Sequence, residues 1–175
     1  GILYPDKEEF NFLSEYSKHF NTVEVDQWFW SLFEPKKAVL PKDSDVQSYS
    51  KSVPDNFKFT IKIPNSITLT HFYNKNKLAE LKPNPFFLKS DLFEKFLETL
   101  KPMKQNIGLL MFQFEYLNKQ KISGLIEFLD KFESFIESID KKYIYGVEIR
   151  NPNFLKQPFF DFLERNNLAM ILLQG

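Results

Sequence analysis

Seven ionisable or amide side chains and one aromatic stand out in this sequence for what their types can do together. Glu24 and Glu148 offer carboxylates that burial would raise toward neutrality, as suits a general base, and His71 is a proton carrier that titrates near neutral pH. Lys62 and Arg150 can hold an anion. Arg150 is the sharper of the two, because a planar guanidinium grips a carboxylate or phosphate at two points. Asp26, Gln113 and Trp30 complete the set as substrate contacts. The expectation is an enzyme using acid/base chemistry on an anionic or polyhydroxyl small molecule, one that carries a phosphate or a sugar.

Each residue also has a plain structural role to compete with. Glu148 and Arg150 share strand parity and can simply pair, Lys62 shares a face with Lys58 and Thr60 as on a solvated edge, and Glu24 can sit on such a face too. His71 can serve only its own loop, and Gln113 can satisfy backbone groups. A divalent metal on His71, Glu24 and Glu148 stays open, although no His-Glu-x-x-His spacing occurs and the sequence requires no cofactor. The rival function is non-catalytic binding. Trp28, Phe29 and Trp30, with Phe72 and Tyr73, would stack unpaired bases or sugar rings while Lys62 and Arg150 hold phosphates of a single strand or nucleotide. Core packing competes with that, since strand alternation would send Trp28 and Trp30 to one side and Phe29 to the other. A scaffold without chemistry is the third option.

These residues must be positioned by regular elements, and hydrophobic periodicity supplies them. Asp6 with Glu9 reads as a capping pair for a helix over 7–20, and the β-branched run at 22–26 reads as a strand. Pro35, Pro41 and Pro54 predict a loop to about residue 56, interrupted by a short helix near 45–52. Strict alternation over 57–63 makes the clearest strand, with Phe57, Phe59, Ile61 and Ile63 on one face and Lys58, Thr60 and Lys62 on the other. Ser90 or Asp91 can cap a helix carrying Leu92, Phe93, Phe96, Leu97 and Leu100. The apolar run at 107–112 predicts a strand buried on both faces, and 119–139 a long amphipathic helix. A fourth strand is expected over 143–149, a helix opening at Pro158, a stop at Asn166-Asn167, and a fifth strand over 168–173.

Strands alternating with helices predict a parallel sheet of βα units. Functional groups then gather at the carboxyl ends of the strands, where Glu24, Asp26, Lys62, Gln113, Glu148 and Arg150 all fall. The expected architecture is one α/β domain over 1–175, a TIM-type (βα) barrel that is incomplete, with a first strand expected before Gly1 and further elements after Gly175.

Composition narrows the classes. The 23 basic residues balance the 23 acidic ones, so no whole-molecule field favours nucleic acid or an anionic membrane, and an anion site must be built locally. Only two of the basic residues, Arg150 and Arg165, are arginines, which marks both as candidates for a position needing a planar fork. With no cysteine, thiol nucleophiles and thiolate metal sites are excluded, and a soluble cytoplasmic protein is expected; no apolar run is long enough for a membrane helix. A Gly-rich phosphate loop, a dinucleotide fingerprint and a Gly-x-Ser-x-Gly elbow are all missing, which disfavours kinases, Rossmann oxidoreductases and serine hydrolases. Oligomeric state is not legible.

Gly1-Ile2-Leu3-Tyr4-Pro5, the run from Phe20 to Asp26 with Phe29 and Trp30, Phe59 to Lys62, Thr70-His71, Phe112-Gln113-Phe114 and Val147-Glu148-Ile149-Arg150 occur in an order that resembles the YecE-like family of domains of unknown function, number 72. The resemblance implies a TIM-type βα fold and no established activity. Asp26 stands where the family usually has asparagine, Trp30 where tyrosine is usual, and Gln174 near where an aspartate often closes the fifth strand.

Overall fold

In the strand Lys58–Lys62, Phe59 and Ile61 are completely buried while Lys58 is exposed and Thr60 and Lys62 are half-buried, as the period-2 alternation requires. The computed structural model describes residues 11–74 and 80–173. In chain order these form α1 (Phe12–Tyr16), β1 (Thr22–Val25), β2 (Leu32–Phe33), β3 (Lys37–Ala38), α2 (Asp43–Lys51), β4 (Lys58–Lys62), α3 (Asn65–Thr68) and α4 (Ser90–Thr99). Then come a 3-10 turn (Lys101–Asn106), β5 (Ile107–Phe114), α5 (Leu125–Ser138), β6 (Tyr145–Ile149), a second 3-10 turn (Pro152–Phe154), α6 (Gln157–Arg165) and β7 (Leu168–Met170).

The main sheet has five strands in the order β1-β4-β5-β6-β7, every neighbouring pair parallel. This is the α/β architecture the βα alternation predicts. Among the described residues the sheet does not close on itself, so a complete barrel is not what these residues form; β1 and β7 are its outer strands. No described helix is long and apolar enough to cross a membrane.

Several boundaries differ from the sequence expectation, each for a local reason. The expected cap Asp6 lies outside the described residues. The described part of that helix begins at Phe12, where the Asn11 side chain accepts hydrogen bonds from the Leu13 and Ser14 N–H groups at 3.1 and 3.0 Å. The Trp28-Phe29-Trp30 segment is a turn, closed by Phe29 N–H donating to the Asp26 carbonyl, so strand alternation does not apply: Trp28 and Phe29 are both buried and Trp30 is exposed. The segment expected as loop contains the β2-β3 hairpin. Neither Ser90 nor Asp91 caps α4, because Lys89 holds the cap position with no side-chain bond and both fall in the first turn. The α5 helix starts later than residue 119: the Asn118 side chain accepts from the Gln120 and Lys121 N–H groups and bends the chain into a turn, and Gly124 is extended.

The face of the sheet turned toward the helices carries the core. Phe112 on β5 meets Phe93 of α4, Phe132 and Phe135 of α5 and Tyr145 of β6, with ring centroids 5.2–5.7 Å apart. A fully buried phenylalanine contributes about 1.5–3 kcal/mol, so this aromatic layer is the main force holding the helices to the sheet. Opposite lies the polar face. There Gly146 is closely packed: a Cβ on it would sit 2.8 Å from Ile171 Cδ1 and 3.1 Å from Leu109 Cδ2, so those side-chain ends would have to shift.

Candidate functional site

Register decides which side chains share the polar face. Glu24 is level with Thr60, Lys62 with Met111 and Gly146, and Gln113 with Glu148, so all point to the side away from the aromatic layer. Asp26 and Arg150 continue the same parity just past β1 and β6, and Glu115 does so just past β5. All lie at the carboxyl ends of the strands.

They assemble as three local clusters rather than one. At the β1-β4 side, the Lys62 ammonium bridges Glu24 at 2.7 Å and Asp26 at 2.8 Å; its side chain is only 15% exposed, whereas theirs are 47% and 67% exposed. Burial pulls the Lys62 pKa down, but hydrogen bonds and charge from Asp26 and Glu24 outweigh it and hold the group above its ordinary value. At the β5-β6 centre, Glu148 is 5% exposed and its carboxylate meets Arg150 Nε at 3.3 Å, beside Gln113. The mutual ion pair that strand parity allowed is therefore formed. Arg150 is half exposed, and among the described residues its two terminal guanidinium nitrogens have no partner.

The third cluster holds His71, on the α3-α4 connection. Its Nδ1 lies 2.9 Å from Thr70 Oγ1, which donates to Glu115 Oε1 at 3.1 Å, and the other Glu115 oxygen pairs with Lys121. Burial and then the Lys121 charge push the imidazole pKa down, with Glu115 opposing, so the ring is neutral at pH 7. Sequence reasoning missed Thr70, Glu115 and Lys121 as partners of His71. Glu115 was within reach, because the parity of Leu109, Met111 and Gln113 extends to it once β5 is carried two residues past Phe112.

Uncharged amides fix the connections around these clusters. Asn65 Oδ1 accepts from Ser31 N, Ser31 Oγ and Leu32 N, and Asn84 Nδ2 donates to the Ser66 and Leu69 carbonyls. Asn151, directly after Arg150, accepts from Leu117 N at 2.7 Å and donates to Leu117 O at 2.9 Å, which ties the β5-α5 connection to the end of β6. Most buried polar groups in folded proteins are paired in this way.

Trp30 is 67% exposed and stands edge-on to Phe29, while Trp28 and Phe29 are taken up by the core. The other arginine, Arg165, spends its fork on Glu133 at 2.6 and 2.8 Å, away from the polar face. A groove of about 780 Å³ runs along β1 between α1 and α2 and is bordered by Glu24 and Asp26; a hollow of about 240 Å³ is bordered by Arg150 and the end of β7. Both follow the outer strands, so neither sits over Gln113 and Glu148. Among the described residues no three His, Asp or Glu side chains are grouped to hold a metal ion.

A family model described as "Protein of unknown function DUF72" matches residues 1–174. The chain belongs to the DUF72 family. This DUF72 chain is 29% identical over 143 residues to the UPF0759 protein YecE of Escherichia coli K12, an alignment covering 81% of the chain and 42% of YecE. Its fold is similar to that of a DUF72 family protein from Enterococcus faecalis V583, with a TM-score of 0.63 at 21% identity, over 94% of this chain and 54% of that one. A DUF72 family protein from Thermotoga maritima MSB8 gives a TM-score of 0.60 at 16% identity, over 96% and 58%. The chain thus spans less than half of the curated relative and little more than half of the crystallised ones.

Proposed function

We propose that the polar face at the carboxyl ends of the strands is the active site of an enzyme that moves protons on a polyhydroxyl or anionic small molecule. The observation that carries this is that β1, β4, β5 and β6 each bring ionisable or amide groups to one face and one end, a buried carboxylate at their centre. Buried ionisable groups cost stability and collect where chemistry needs them. In this scheme Glu148 and Glu24 are the bases, His71 carries protons, and Asp26, Lys62, Gln113, Arg150 and Trp30 hold substrate. The five parallel strands then form an arc of a TIM-type barrel with the polar face as its lumen, supported by the all-parallel order and the likeness to the DUF72 crystal structures.

Charge favours the polyhydroxyl class. Glu24, Asp26, Glu115 and Glu148 face Lys62, Lys121 and Arg150, which leaves one negative charge in excess with His71 neutral. Such a rim does not attract a polyphosphate. A single-strand binder fares worse, because two of its five stacking rings, Trp28 and Phe29, are in the core and the Lys62 ammonium is engaged by two carboxylates.

A thermal-shift screen of free sugars, sugar phosphates, nucleotides and single-stranded oligonucleotides tests the proposal. Sugars or their monophosphates are expected to raise the melting temperature, and Arg150→Lys is expected to weaken that response while leaving the unliganded melting temperature nearly unchanged. A response to oligonucleotides alone, or an Arg150→Lys variant that melts earlier with its ligand response intact, would overturn it.

A further inference from the structure

The loop carrying His71 is held from both sides. Thr70 O accepts from Asn84 N at 2.9 Å, Phe72 N donates to Lys82 O at 2.9 Å, and His71 itself bridges to Pro83. Thr70 is buried, so its hydroxyl cannot look to water for partners. It has two neighbours, Glu115 Oε1 at 3.1 Å and His71 Nδ1 at 2.9 Å.

Proton counting fixes the direction of this chain. A carboxylate only accepts hydrogen bonds, and the other oxygen of Glu115 is taken by Lys121. The single Thr70 hydroxyl proton therefore goes to Glu115. The Thr70 oxygen must then accept from His71, which requires the proton on Nδ1. In the neutral ring Nε2 is left with its lone pair, and among the described residues it has no hydrogen-bond partner.

We propose that Thr70 and Glu115 are positioning residues that fix His71 as the Nδ1–H tautomer, so that Nε2 is the proton-accepting atom of the site. When Nε2 takes a proton from a substrate hydroxyl or carbon, the ring becomes an imidazolium whose Nδ1–H still donates to Thr70. The positive charge is then felt through Thr70 by Glu115. Burial, helped by Lys121 on the far side of Glu115, keeps the resting ring neutral and ready to accept. The scheme rests on the proposed proton-transfer function only for what Nε2 acts on; the tautomer itself is independent of any substrate.

Long-range proton-nitrogen correlation spectra of the nitrogen-15-labelled chain at pH 7.5 read the tautomer directly. The sequence has only two histidines, and His19→Gln assigns the His71 signals. Wild type is expected to show a protonated Nδ1 and a bare Nε2. Thr70→Ser should keep that pattern, whereas Thr70→Val should make Nε2–H the major form. Glu115→Gln should also invert it: the Gln oxygen faces Lys121, its amide donates to Thr70, and the hydroxyl proton turns to His71 Nδ1. A protonated Nε2 in wild type, or a folded Thr70→Val chain whose tautomer does not move, would overturn the proposal. Should Thr70→Val not fold, the wild-type spectrum decides alone. If the tautomer is as expected but no sugar or sugar monophosphate raises the melting temperature, the relay stands and the proposed function fails.

Discussion

Replacing Gly146 by alanine tests the parity on which the whole site depends, because Gly146 and Glu148 are two residues apart on β6 and must share a face. The new Cβ would lie 2.8 Å from Ile171 Cδ1, 3.1 Å from Ile171 Cγ1 and 3.1 Å from Leu109 Cδ2, against about 3.5–4.0 Å for comfortable carbon contact. Two side chains on two neighbouring segments must therefore move at once, an overpacking that costs about 1–3 kcal/mol. The loss of unfolded-chain freedom returns about 0.4–1 kcal/mol. A net destabilisation of about 1–2 kcal/mol follows, which for a chain of this size lowers the melting temperature by roughly 2–8 °C. Thermal and urea unfolding measure it, and the double-mutant cycle with Ile171→Val identifies the clash. Removing Cδ1 should return about 1 kcal/mol in the Gly146→Ala background beyond its effect in wild type. Were Gly146→Ala as stable as wild type, or the two substitutions strictly additive, Gly146 would not face Ile171 and Leu109, and Glu148 would lose its place on the polar face.

Asn65→Ala strands the buried Ser31 N–H and the part-buried Leu32 N–H and should cost roughly 2–4 kcal/mol by chemical denaturation; a loss under about 0.5 kcal/mol would mean that these donors find other partners. Lys62→Met should change stability at pH 7 by no more than about 1 kcal/mol, because its carboxylate partners are half exposed. The folded Lys62 pKa is raised, so its contribution is complete below the ordinary value of 10.5 and fades as pH climbs through the folded value. The wild type and Lys62→Met stability curves should accordingly converge only at strongly alkaline pH, and convergence near pH 8 would contradict the bridge. His71 has the opposite sign. Its folded pKa is lowered by burial and Lys121 against Glu115, so its contribution is complete above 6.5 and is lost as pH falls through the folded value. Wild type should therefore lose stability relative to His71→Gln on acidification below pH 6.5; parallel curves from pH 8 to pH 4 would show that the folded ring titrates like a free one.

Period-2 patterning made the polar and apolar faces legible in the sequence, because burial acts on every second residue. Phe59, Ile61 and Lys62 went where alternation sends them. The parallel order followed from helices standing between strands. Trp28 and Trp30 were misplaced because a turn breaks periodicity, and nothing in three consecutive aromatics distinguishes a turn from a strand. The α5 start was set by Asn118, whose side chain competes with the helix for its own backbone N–H groups, a contest that hydrophobic spacing does not register. At the site, strand position identified Lys62, Glu24, Asp26, Glu148 and Arg150 as sharing one end, but pairing is a matter of a few ångströms. The division into three clusters, and the Thr70-Glu115-Lys121 chain behind His71, depend on how connections far apart in sequence are laid against one another.

The connections at the carboxyl ends are tied down by Asn65, Asn84 and Asn151, none of which carries charge, while the charged groups they surround are bonded chiefly to each other. The amide ties and the ion pairs are thereby two chemically different sets of residues. Salt or a change of pH that loosens the Lys62 and Arg150 pairs leaves the amide ties untouched, since a neutral amide neither titrates nor is screened. The rim is a replaceable fitting on a fixed frame: Glu24, Asp26, Lys62 or Arg150 can be exchanged while the backbone beneath keeps its course.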